Sequence, residues 1–242
     1  MLLNRFDGDG ILSGNRSVIF IMIAMISGCG TQTYRDRLDR TAEYYAHLEK
    51  LDKNLHEKRW STGEVSLRVP RQFVLETGSE KGVPLVLKSL PGLKGQWKGV
   101  VAVQEQDEQR PCYLLVSTNQ LSKEEKGQQI LKPVHFQEQL ANRLFKILNH
   151  PRPPANEVQT KQFPATAKYS DPKTVTVFES ISDSDVLGLK GPYRVRLYTH
   201  VRGSVIVGIL FVVPEDVHAK EHLTEEERIG WALETLRMTT PE

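Results

Sequence analysis

YRVRLYTHVRGSVIVGILFVVP, residues 193–214, is the stretch whose reading decides the fold. Two apolar-rich runs flank Arg202, Gly203 and Ser204, the composition of a tight hairpin. With Gly203 and Ser204 in a type II′ turn, Arg202 faces Val205, Tyr198 faces Ile209 and Arg196 faces Phe211. With Arg202 and Gly203 in the turn the pairing slips, yet the membership of each face is unchanged. One face collects Val195, Leu197, Thr199, Val201, Ile206, Leu210 and Val212, a core surface. The other mixes Val205, Val207, Ile209 and Phe211 with Arg194, Arg196, Tyr198 and His200. The second strand is therefore apolar on both sides, as a central strand covered above and below must be. A sheet with helices on both faces is the simplest architecture that buries it.

Working outward, Thr174–Ile181 reads as another strand. The stretch 151–172 holds Pro151, Pro153, Pro154, Pro164 and Pro172 and reads as an irregular surface excursion. Before it, Pro133 suits the first turn of a helix that carries Phe136, Leu140, Leu144 and Ile147 on one side and ends before Pro151. Ser122 and Glu125 have capping-box spacing, and KEEK at 123–126 reads as a solvated helix face. At the other end, Thr224 and Glu227 cap a last helix whose buried stripe is Ile229, Ala232, Leu233 and Leu236, with Trp231 at its edge. Val65–Val69 alternates as a strand that stops at Pro70, and further strands are expected near Val83–Leu87, Val100–Glu105 and Tyr113–Thr118. Trp97 falls in an expected loop, Pro91–Gly99, where its ring either closes the core or serves as a contact.

From Thr33 to Trp60 there is no Gly or Pro, and Tyr34, Leu38, Thr41, Tyr45, Leu48, Leu51 and Leu55 recur at helical spacing. This predicts an amphipathic helix, broken by Ser61, Thr62 and Gly63, with a reach of about 33 Å for some 22 residues. Its apolar stripe serves a coiled-coil stalk or, with Thr41 weakening the seam, a contact with its own domain.

Residues 17–28, SVIFIMIAMISG, form an uncharged apolar run preceded by Arg5 and Arg16 and followed by Cys29. The run is shorter than the roughly 20 apolar residues a membrane span needs, and matches a signal peptide. Its end, Ile26, Ser27, Gly28, Cys29, resembles the bacterial lipobox. That resemblance implies cleavage before Cys29, diacylglycerol on its sulfur and further acylation of the new amino group. Two or three acyl chains at about 0.8 kcal/mol per buried methylene hold a protein on its membrane. Gly30, where an Asp would signal retention, implies the outer membrane, periplasmic side, as the destination within the cell envelope.

The order of elements, with the 193–214 segment, resembles the Mog1/PsbP-like α/β/α sandwich over residues 60–242. The expected class is α+β: an antiparallel sheet with helices on both faces, preceded by the amphipathic helix. The expected organisation is a signal peptide over 1–28, a lipid-anchored helical tether over 29–60 and one domain over 61–242. Such domains are mostly accessory or binding modules without shared catalytic residues, so the resemblance transfers no site.

Lys plus Arg number 32 against 30 Asp plus Glu, a balance too even to drive binding to nucleic acid. Two cysteines, Cys29 and Cys112, exclude a disulfide framework and cysteine-rich metal clusters. Cys112 between Pro111 and Tyr113 reads as a small buried hydrophobe rather than a reactive thiol. His218, Glu221 and His222 spell HAKEH, the spacing of an inverted zinc peptidase motif, with Glu221 as general base. A third ligand is lacking there, Glu234 being the one downstream residue of any appeal, and a solvated first turn is the plainer account. No phosphate loop, nucleophile elbow or dinucleotide fingerprint occurs, so no cofactor is implied. The remaining functional surface is the row Arg194, Arg196, Tyr198, His200 and Arg202, which could receive an envelope protein or acidic ligand. The plainer account lays those long stems over Val207 and Ile209 with their heads in water. The reading that emerges is a membrane-held, non-catalytic binding or scaffolding module, with a metal-dependent hydrolase as the alternative.

Overall fold

A computed structural model describes residues 13–76, 82–103, 108–120, 131–166, 168–217 and 219–239; within these, 13–31, 184–185 and 219–225 are described by their backbone alone. The chain divides into two compact units, 1–50 and 51–242.

Helix α1 runs from Ser13 to Asn54. On its described portion Tyr34, Leu38, Tyr44 and Tyr45 are exposed. The helix stops six residues before the expected end at Trp60. Leu55 leaves it, becomes fully buried and bridges to Pro70. The carbonyls that a helix end leaves without partners are taken by guanidinium groups: Arg71 donates to Asp52 O at 2.8 Å and Leu55 O at 3.1 Å. Arg68 donates to His56 O at 2.8 Å and pairs with Asp52 at 2.7 Å.

Trp60–Thr62 (β1) and Val65–Leu67 (β2) form a hairpin, joined on the far side of β2 by Arg237–Met238 (β10). The remaining strands are Val74–Leu75 (β3), Leu93–Ala102 (β4), Gln109–Thr118 (β5), Gln159–Phe163 (β6), Lys173–Ser182 (β7), Tyr193–Arg202 (β8) and Val205–Pro214 (β9). They make a seven-stranded antiparallel sheet in the order β3-β4-β5-β9-β8-β7-β6. Strand β9 lies at its centre, and each of its residues is buried. The hairpin register pairs Arg202 with Val205, Tyr198 with Ile209 and Arg196 with Phe211, as expected for Gly203 and Ser204 in the turn. Gly203 has φ +60° and Ser204 a negative φ, the signs of a type II′ turn. Val201, expected in the core, is exposed because it belongs to the hairpin tip.

One face of the sheet is closed by Pro133–Ile147 (α2), which sets Phe136, Leu140, Ala141, Leu144 and Phe145 on Leu115, Val195, Leu197, Ile206, Leu210 and Val212. Leu87, in a 3-10 turn over Leu87–Ser89, and Leu187, in the short helix Ser184–Leu187 (α3), extend that cluster. The other face is covered by the small sheet and Ala219–Glu234 (α4), through Val65, Leu67, Ile229, Leu233, Leu236 and Met238 on Leu114, Val116, Val177, Tyr198, Val207 and Phe211. The fold is α+β, an antiparallel sheet with a helix on each face. The buried residues of both clusters lie within 65–238, with Trp60 packed against one of them, so the second unit contains its own cores.

Several expected elements differ. Val83–Leu87 is a turn leading into the 3-10 segment, where Leu87 N donates to Pro84 O. Strand β4 begins at Leu93 and absorbs the expected loop around Trp97. The supposedly irregular 151–172 contains β6, whose polar QTKQF carries no apolar alternation because it is an edge strand with only Phe163 turned partly inward. The last helix begins at Ala219, five residues before Thr224. The capping box at Ser122–Glu125 and the KEEK run lie outside the described residues.

Candidate functional site

Strand β1 is an edge of the small sheet and β3 an edge of the large one. Between them opens a groove of about 970 Å³. Its floor is aromatic: Trp97 and Phe73 are 3% and 2% exposed, and Trp60 meets Trp97 edge to face at 5.1 Å between ring centroids. Gly95 makes this pair possible, since a Cβ there would lie 2.5 Å from the Trp97 ring and 2.8 Å from Trp60. Val74 and Leu75 on β3, 65% and 45% exposed, form a wall. Large apolar side chains left in water beside a deep apolar floor mark a contact surface more than isolated exposed ones do.

The rim is charged, with Glu57, Lys58, Arg59 and Arg71. Arg71 lies 4.0 Å from Glu57 and is otherwise engaged with the helix-end carbonyls. Arg59 donates to the Thr235 carbonyl. Burial holds its pKa below the usual arginine value, and the neighbouring cations Arg237 and Arg68 push the same way. Lys58 is exposed and makes no ion pair among the described residues. His56, also on the lining, has Nε2 2.8 Å from the Phe73 carbonyl; that oxygen only accepts, so Nε2 carries the proton.

The row on β8 divides into four environments. Arg194 donates to Glu215 at 2.8 Å, and Arg196 lies 3.0 Å from Glu179 and 3.1 Å from Glu226. These carboxylates occupy donors that an outside anion would need. Tyr198 is buried between Phe163 and Phe211, at 6.1 and 5.9 Å, and burial pushes its phenol up to about 12. His200 has Nδ1 2.7 Å from the Thr174 carbonyl; burial lowers its pKa, Lys173 and Arg202 add to that, and the hydrogen bond opposes it. Arg202 stands on the exposed hairpin tip.

Cys112 is fully buried within β5. His218 lies outside the described residues; Glu221 and His222 are placed on α4 by their backbone. Among the described residues no group of three or more His, Cys, Asp or Glu could hold a metal ion. Cys29 is placed on α1 by its backbone, and among the described residues no helix is long and apolar enough to cross a membrane.

Sequence reasoning singled out Trp97 but missed Trp60, Phe73, Val74 and Leu75 as its neighbours. The available signal was the pair of tryptophans, one at the expected helix end and one between glycines.

No family model and no curated protein matches the chain. Among solved structures it is similar to a crystal structure from Bacteroides thetaiotaomicron VPI-5482, at 12% identity and a TM-score of 0.38, over 76% of this chain and 48% of that one. This chain thus spans about half the length of that protein. It is also similar to the solution structure of cyanobacterial PsbP (CyanoP) from Synechocystis sp. PCC 6803, at 8% identity and a TM-score of 0.40, over 77% and 93% of the two chains.

Proposed function

We propose that the chain is a lipid-anchored, non-catalytic binding module of the bacterial cell envelope, held on a bilayer through Cys29 and receiving its ligand in the groove between β1 and β3. The groove carries this reading: its volume lies in the range of about 300–1,000 Å³ typical of small-ligand sites, with an aromatic floor and a few polar groups at the mouth. The anchor rests on the run Ile26–Cys29 after an uncharged apolar segment.

The test of the anchor is the intact mass of the protein extracted from bacterial membranes. The expected species begins at Cys29 and carries the added mass of two or three acyl chains, and Cys29→Ala moves the protein to the soluble fraction. An unmodified, water-soluble chain would overturn the reading. Stoichiometric zinc in the purified domain, lost on His218→Ala, would replace it with the hydrolase.

A further inference from the structure

We propose that the groove binds a single medium-chain carboxylate, a fatty-acid-type anion, with its head at Lys58 and Arg59 and its hydrocarbon chain along Trp60, Trp97, Phe73 and Leu75. This rests on the groove being the ligand seat and adds the chemistry of the ligand.

Three observations converge on that occupant. First, the floor and wall are apolar, so the ligand needs a hydrocarbon body to gain from desolvating them. Second, the rim carries three cations and one carboxylate, and that carboxylate, Glu57, is 4.0 Å from Arg71. Lys58 and Arg59 are left without a described carboxylate partner. Arg59 is held in place by its bond to a neutral carbonyl, and a fixed guanidinium can meet a carboxylate with two parallel hydrogen bonds. Arg237 is a further cation near it, whereas Arg68 is paired with Asp52. Third, the two strand edges at the groove are three and two residues long. Recognition of an extended peptide by strand addition depends on a ladder of main-chain bonds, which edges this short do not offer. A single acyl chain needs no such ladder.

The test uses residues 30–242, whose second unit contains both cores. Two of the three tryptophans, Trp60 and Trp97, line the groove, so indole emission reports occupancy directly. Titration with decanoate is expected to shift the emission saturably, and decanol to bind about tenfold more weakly for lack of the charged contacts. Lys58→Glu, at an exposed position, should weaken decanoate at least about fivefold without changing the melting temperature. Leu75→Asp, on the exposed wall, should remove decanoate and decanol binding together.

Equal affinity for decanol and decanoate, or indifference to Lys58→Glu, would overturn the carboxylate assignment and leave the groove standing as a seat. Undiminished binding by Leu75→Asp would remove the groove itself. An acidic peptide that bound more tightly than decanoate would put a protein partner in place of the lipid, and no response to any of these ligands would end the proposal.

Discussion

The two faces of the large sheet are buried to similar depth but by different means. On one, the main cover is a helix that lays five buried residues, Phe136, Leu140, Ala141, Leu144 and Phe145, on the hairpin strands, extended by Leu87 of the 3-10 turn and Leu187 of α3. On the other, the cover is pieced together from β1, β2, β10 and α4, and the seams are filled by aromatic rings: Trp60 on Trp97, Phe73 on Phe211, Tyr198 between Phe163 and Phe211. The groove opens on the pieced face, where the small sheet and β3 leave a gap. A continuous helical stripe closes a sheet face, whereas several short elements leave edges between them, and edges are where a ligand can enter.

The largest effect expected from breaking this contrast is at Trp97, which serves both core and groove. Trp97→Ala should cost about 3–5 kcal/mol in chemical denaturation and alter the emission of Trp60. A loss below about 1 kcal/mol would mean that the indole pair does not hold the pieced cover. Leu144→Ala on the closed face should cost about 2–5 kcal/mol while leaving native-state indole emission unchanged. A spectral change there would couple the faces and blur the contrast.

Asn119 lies at the end of β5 and ties the hairpin to its neighbours. Its Oδ1 accepts from Ile206 N at 3.0 Å, and its Nδ2 donates to Leu131 O and Ser204 O, each at 2.9 Å. Asn119→Ala orphans the buried Ile206 N–H and returns the carbonyls of the exposed Leu131 and Ser204 to water, and should cost about 1–3 kcal/mol, read as a lowered denaturation midpoint. An unchanged midpoint would show that water replaces all three bonds.

The smallest expected effect is at His200. Its folded pKa lies below its ordinary value of 6.5, so as pH falls through about 6.5 the unfolded chain takes up a proton that the folded chain refuses. Stability is therefore lost from the unfolded pKa down to the lower folded one. Comparing melting temperatures at pH 7.5 and 5.5, the gap between His200→Gln and the parent should move in favour of the variant at the lower pH. Parallel curves would mean that the ring is not held neutral.

Legibility in the sequence followed locality. The membership of the hairpin faces was readable because period-two alternation sits within one short segment, while the register stayed open between two turns, and the buried stripe of α4, Ile229, Ala232 and Leu233, was readable because it repeats at helical spacing within two turns. β6 was not readable, since its polar residues resemble a loop until β7 supplies a partner. Strand β4 was hidden by Gly95 and Gly99, which suggest a loop when taken alone and, at Gly95, make room for two rings once folded. The ion pairs of Arg194 and Arg196 were invisible because Glu179, Glu215 and Glu226 arrive from β7, from the turn after β9 and from α4. The groove is the same case at larger scale, assembled from Trp60, Phe73 and Trp97 by contacts that no local pattern encodes.

The division between a closed face and a face proposed to receive a ligand is tested most directly by two-dimensional NMR of residues 30–242 during a decanoate titration. Amide and indole cross-peaks of Trp60, Ser61, Val74, Leu75 and Trp97 are expected to move together along one binding curve, with those of α2 stationary. Shifts concentrated along α2, or absent from the tryptophan indoles, would contradict the assignment of the groove as the site of function.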